Sequence, residues 1–125
     1  MTEQDERQAL FDISLNHIRA QGEPSMDEQG CVFRNAEGLG CAAAPFITNY
    51  EPEVEEISIY GGCDVEKYFD PLAVKHSELV AMLQLAHDGV CEHIDFLGAY
   101  EYQMEKLAKK HSLSYTPPDA AGVAE

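Results

Sequence analysis

Basic residues are scarce in this chain. Eight Lys and Arg stand against 23 Asp and Glu, a formal net charge of −15 with histidine neutral, and none lies between Arg34 and Lys67. Direct nucleic-acid binding draws its affinity from Lys and Arg neutralising phosphates, so this balance argues against it. Anionic membrane surfaces are disfavoured for the same reason. Long apolar runs are missing as well: nothing approaches the roughly 18 residues that a bilayer span needs. The opening Met1-Thr2-Glu3-Gln4-Asp5-Glu6 has neither the basic nor the apolar block of a signal or transit segment, so a cytoplasmic chain is expected. Catalytic signatures are absent too. There is no G-x-S-x-G elbow and no G-x-x-x-x-G-K-[ST] phosphate loop. Cys31, Cys41, Cys63 and Cys91 include no C-x2-C knuckle of the kind found in zinc ribbons.

What is present fits one domain. At 125 residues and 45% hydrophobic, the chain is long enough and apolar enough to bury its own core. The expectation is a single compact domain over 1–115. A disordered tail over 116–125 follows from Thr116-Pro117-Pro118 and the Ala- and Gly-rich end. The patterning predicts an α+β fold, predominantly helical, with about three to four helices and a small β-hairpin in the first half. Thr2 and Asp5 form a capping-box pattern before Leu10, Phe11, Ile13, Leu15 and Ile18 at helical spacing, and Gly22 and Pro24 end that helix. Cys31 to Arg34 reads as a short strand entered through the turn at 27–30. Leu39 and Cys41 open a return strand, unless Cys41 to Ala44 forms a turn of helix ended by Pro45.

Residues 46–71 are the least regular stretch. Pro52 can open an acidic helix, with Glu51, Glu53, Glu55 and Glu56 favourable near its N-terminus. Ile57-Ser58-Ile59-Tyr60 alternates and reads equally as an edge strand. Ser77 can cap a helix carrying Leu79, Val80, Met82, Leu83, Leu85 and Ala86 to Gly89, whose wide apolar coverage marks it as central. A last helix runs from about Asp95 to His111, with Leu97, Tyr100, Met104 and Leu107 inward. Lys106, Lys109, Lys110 and His111 in its final turns suit the helix dipole, as does His17 near the end of the first helix.

The four cysteines are read as free thiols, buried or partly buried. A metal-stabilised domain or small enzyme built on Cys31, Cys41 and a histidine is the alternative. His87-Asp88 is the pair that HD phosphohydrolases place on metal, but those sites need further His and Asp ligands, and a cap at the helix end explains the pair here. Catalytic residues, metal and cofactor are therefore expected to be absent, and the chain is not read as an enzyme. The acidic excess points elsewhere. Residues 1–75 hold 15 acids and 5 bases, so the negative field is concentrated in the first half and its middle. Glu37, Glu51, Glu53, Glu55, Glu56, Asp64 and Glu66 are the candidate partner-binding residues, steered to a basic groove on another protein.

A resemblance adds to this reading. Gln21-Gly22-Glu23-Pro24-Ser25-Met26-Asp27, Cys31-Val32-Phe33-Arg34, Gly38-Leu39-Gly40-Cys41-Ala42, Glu51-Pro52-Glu53 and Leu83-Gln84-Leu85-Ala86-His87-Asp88 follow one another in order. Over about residues 9–112 this pattern resembles a family of small acidic proteins of tailed bacteriophages and prophages. Two segments depart from it: Ala44-Pro45-Phe46-Ile47 stands where the family has Cys-Leu-Ile-Pro, and Asn35-Ala36 where it has Gly-Pro. The resemblance implies a mobile-element origin and buried polar or packing roles for Cys41, Gln84 and His87. It also implies the class of small proteins that act on host machinery in the host cytoplasm. The expected function is an anti-defence, anti-CRISPR-like inhibitor that occupies a basic surface of a host complex such as a CRISPR-Cas assembly. A virion or assembly protein, or a plain homo-oligomer, is the further alternative.

Overall fold

The computed structural model describes residues 2–28, 30–51, 54–55 and 65–117, with 65 and 66 described by backbone alone. Helix α1 covers Glu3–Gln21. Its start is the expected capping box: the Asp5 amide donates to Thr2 Oγ1 at 3.1 Å, and the Thr2 amide donates to Asp5 Oδ2 at 3.2 Å. These bonds satisfy donors that have no partner inside the helix. Gly22 ends it with φ +79°, which only glycine adopts without strain, and its N–H reaches the Ile18 carbonyl at 2.8 Å. Leu10, Phe11, Leu15 and Ile18 are buried on one face with Ser14, whereas Ile13, placed in the same stripe from the sequence, is 47% exposed.

The chain then forms a two-stranded antiparallel hairpin, β1 (Met26–Asp27) and β2 (Gly30–Cys31), with Met26 opposite Cys31 and Asp27 opposite Gly30. The hairpin in the first half is as expected, but its position is shifted. Cys31 to Arg34 does not pair with Leu39 to Cys41 as two strands; only an isolated bridge joins Arg34 to Gly40. The ladder stops there because side chains take the backbone donors. Glu55 accepts from the Phe33 and Arg34 amides, and Asn35 Oδ1 accepts from the Glu37 and Leu39 amides.

Cys41, Ala42 and Ala43 are fully buried and lead into a 3-10 turn, Ala44–Phe46. Pro45 was expected to end such a turn. It lies in the first turn instead, where its missing N–H costs nothing. Small side chains let this segment sit close on α1. A Cβ at Gly40 would come within 2.7 Å of Ala44 Cβ and 3.3 Å of His17 Nε2. Ser14 Oγ donates to the Ala42 carbonyl at 2.8 Å. His17 bonds the Gly40 carbonyl at 3.0 Å, so its ring fastens this loop rather than serving the helix end alone.

Four helices follow among the described residues: α2 (Val65–Tyr68), α3 (Pro71–Lys75), α4 (Ser77–Asp88) and α5 (Phe96–His111). Ser77 does not cap α4. The cap belongs one helix earlier, where Asp70 Oδ1 accepts from the Leu72 amide at 2.8 Å with Pro71 at the first position. The chain passes from α3 into α4 through His76 alone, which leaves Ser77 inside a helix. Helix α4 lies against α1, α3 and α5 and buries Leu79, Val80, Ala81, Leu83, Ala86 and His87, the central position its composition predicts. Helix α5 is capped by Asp95 and buries Phe96, Tyr100, Met104 and Ala108, so its inner stripe is rotated from the one expected and Leu97 and Leu107 flank it half-buried.

Beyond α5, Leu113 is buried and the Tyr115 hydroxyl donates to Glu101 Oε1 at 2.7 Å. Arg19 grips Glu101 with two bonds of 2.6 and 2.8 Å and donates to the Thr116 carbonyl at 2.7 Å. Packing thus reaches into the segment expected as tail, of which 118–125 lie outside the described residues. Ile57 to Tyr60 also lie outside them. Among the described residues no helix is long and apolar enough to cross a membrane.

Candidate functional site

The turn Asn35-Ala36-Glu37-Gly38 folds back beside the hairpin and leaves a cleft of about 470 Å3, lined by Met26, Asp27, Glu28, Asn35, Ala36 and Glu37. Asn35 builds it. Its Nδ2 donates to the Met26 carbonyl at 3.0 Å, tying the turn to β1, while its Oδ1 closes the turn on the Glu37 and Leu39 amides at 3.0 Å each. Gly38 completes it at φ +85°. Asp27, Glu28 and Glu37 are all exposed, and among the described residues no basic residue lines the cleft. Three carboxylates on one cleft, in a chain of net charge −15, favour a negative local potential.

Glu55 supports the wall. Its carboxylate accepts from the Phe33 amide at 2.7 Å, the Arg34 amide at 3.0 Å and the Tyr50 hydroxyl at 2.7 Å. The Arg34 guanidinium lies 4.6 Å from the centre of the Tyr50 ring. Burial, followed by the Glu55 carboxylate, pushes the Tyr50 hydroxyl up to about 12, so it remains a donor at neutral pH.

Below the hairpin runs a buried polar junction. His87 is fully buried, and its Nε2 accepts from the Ser25 amide at 3.0 Å. An amide can only donate, so the ring proton sits on Nδ1 and is given to Asp88 Oδ1 at 2.8 Å. Gln84 Nε2 donates to the same oxygen at 2.7 Å, and Gln84 Oε1 accepts from the Ala43 amide at 3.1 Å. The Leu83-to-Asp88 motif thus fastens two loop segments to α4. His87 is buried and polar, as expected, whereas Gln84 is half-buried.

The cysteines depart from expectation. Cys31 and Cys91 form a disulfide across 60 positions of sequence, joining β2 to the turn after α4, and are not free thiols. The fold creates this proximity, and nothing local in the sequence signals it. Cys41 is free and buried, and burial pushes its thiol up to about 12, so it is a packing group rather than a nucleophile. Cys63 lies outside the described residues.

Donor atoms of Cys31, His87 and Asp88 lie within 4.8 Å of one another, the one such group among the described residues, and Cys41 is not in it. Each member is already committed. The Cys31 sulfur is in the disulfide, both His87 nitrogens are bonded, and Asp88 Oδ1 holds two donors. This arrangement anchors β2 and the Ser25 backbone to the end of α4.

Of the seven residues singled out from the sequence, Glu37 lies on the cleft. Glu51 is half-buried, with Oε2 accepting from Asn49 Nδ2 at 3.3 Å. Glu55 is turned to the backbone of residues 33 and 34, and Glu66 is placed by its backbone in α2. Glu53, Glu56 and Asp64 lie outside the described residues. Asp27 and Glu28 were not singled out. Their signal was the acidic pair at the hairpin turn, masked by the denser run over 51–66. No protein-family model, curated protein or solved structure matches the chain.

Proposed function

We propose that this protein is a non-enzymatic, phage-derived inhibitor that binds a basic surface of a host nucleic-acid-binding complex, of the anti-defence or anti-CRISPR-like class, in the host cytoplasm. The observation that carries the reading is the convergence of exposed Asp27, Glu28 and Glu37 on one cleft, in a chain of net charge −15. Such a face stands in for a phosphate backbone: it enters a Lys- and Arg-lined groove and displaces the same counterions that nucleic acid would. Steering by the net charge speeds the encounter, and the contact weakens as salt screens it. The family resemblance supports the same class of action. The hydrogen bonds that fix the hairpin region, Ser25 to His87 and Asn35 to Met26, support it physically, because a rigid face loses less entropy on docking.

The test is a pull-down from bacterial lysate with the immobilised protein, followed by a salt titration. A retained nucleic-acid-binding protein that elutes as salt rises and is displaced by nucleic acid supports the proposal. Retention of no such protein even at low salt removes it.

A further inference from the structure

The opposite end of the charge range has its own surface. Between α4 and α5 lies a groove of about 480 Å3 that, among the described residues, no acidic residue lines, although acids outnumber bases 23 to 8 in the chain. Its apolar strip is Met82, Leu85 and Ala86 from α4 with Leu107 from α5, and Leu85 is 49% exposed. Lys106, Lys109, Lys110 and His111 stand along the rim, and the three lysines are every base that follows Lys75. The helix dipole explains why cations occupy the last turns of α5. It does not explain the exposed Leu85 beside half-buried Met82 and Leu107. Gln103, Lys106, Leu107, Lys110 and His111 recur at three- and four-residue steps, so one face of α5 presents both the apolar contact and its cationic border.

We propose that this groove is a docking site for an acidic amphipathic helix of a protein partner, a surface separate from the acidic cleft and of opposite sign. From 103 to 111 the groove runs about 12 Å along α5 at 1.5 Å per residue, the length over which a guest helix sets apolar anchors at i, i+3 or i+4, and i+7. The rim lysines then meet carboxylates that flank the guest's anchors, and the guest's outer face stays in water. A free acyl chain would be left half-exposed in so open a groove, whereas small-molecule sites enclose most of their ligand.

The test is fluorescence anisotropy at low salt with the full chain. The probe is a labelled designed peptide of about 14 residues, a length at which an isolated helix is marginal and the groove can complete it, with Leu anchors and Glu flanks. A second peptide keeps the Leu anchors and carries Lys flanks, and sodium decanoate competes in a third arm. Saturable binding of the Glu-flanked peptide is expected, weakened about ten-fold by Lys106→Glu with Lys110→Glu and unchanged by Glu23→Gln, an exposed carboxylate on neither surface. Lys106 and Lys110 are both exposed, so the reversal leaves the core untouched. Absence of binding, equal binding of the Lys-flanked peptide, or indifference to the double reversal overturns the proposal. Displacement by decanoate at lower concentration than unlabelled peptide overturns the helical occupant in favour of an acyl chain. The lysate pull-down reads the acidic cleft and this anisotropy assay reads the groove, so the two outcomes stay distinct.

Discussion

The Ser25 amide donates to Nε2 of His87 at 3.0 Å, a bond between residues 62 positions apart that joins the entry of the hairpin to the last turn of α4. It fixes the ring tautomer and, through Asp88 and Gln84, ties the residue 43 loop to the same point. Replacing His87 by Ala leaves the Ser25 amide without its acceptor and opens a void beside Phe96, whose ring packs edge-on at 5.6 Å. His87→Ala is expected to lose about 3 kcal/mol in urea denaturation, the sum of an orphaned buried donor and a cavity. A loss below about 1 kcal/mol would mean that the junction is not anchored there.

The Cys31–Cys91 bond closes a loop over a sequence separation of 60. Loop-closure entropy for that length gives about 4 kcal/mol of stabilisation in the chain-entropy model. Denaturation with and without a dithiol reductant should show a deficit of that order, matched by Cys31→Ser with Cys91→Ser. Alkylation of the unfolded, unreduced chain should leave both cysteines unlabelled. Labelling of both would show that the bridge does not form.

Glu55 and Glu37 carry the same charge and are expected to behave differently. Glu55 holds two amides and a hydroxyl, so Glu55→Ala should cost about 2–3 kcal/mol in stability. Glu37 is exposed on the cleft, and Glu37→Ala should leave stability within about 0.5 kcal/mol. Thermal melts of the two variants side by side decide this, and equal effects would contradict the assigned roles.

The acid side of the stability profile has a named contributor. Hydrogen bonds from His76 and Lys75, each 2.9 Å, hold the Glu6 carboxyl below the ordinary carboxylate range. A lowered folded-state pKa stabilises fully above the unfolded value of about 4.3 and is lost as pH falls through the folded value. The deficit of Glu6→Gln relative to wild type should therefore be complete at neutral pH and shrink as pH drops below about 4. A deficit independent of pH would assign the effect to packing.

Legibility in the sequence followed the range of the interaction. The start and stop of α1 rest on Thr2, Asp5 and Gly22, all within a turn of the helix ends, and these were readable. The centrality of α4 was readable from its composition alone. Ser77 misled because capping chemistry was judged without Asp70-Pro71, which start a helix six residues earlier. The strand from Cys31 to Arg34 failed because Glu55, more than twenty residues away, takes the Phe33 and Arg34 amides. A still greater separation, 60 positions, hid the Cys31–Cys91 bridge. For the site, charge counting found Glu37 and the excess over 51–66. It could not show that Glu55 turns inward, or that the loop held by Asn35 brings Glu37 beside Asp27 and Glu28.

The most direct measurement of the central claim is salt-dependent retention of the partner on wild type and on the charge-reversed cleft, Asp27→Lys with Glu28→Lys and Glu37→Lys. All three side chains are exposed, so the fold is expected to survive, as far-UV circular dichroism would verify. The account predicts that the basic, nucleic-acid-binding partner held by wild type at low salt is lost from the triple variant. Retention of that partner by the triple variant with an unchanged salt profile would contradict it.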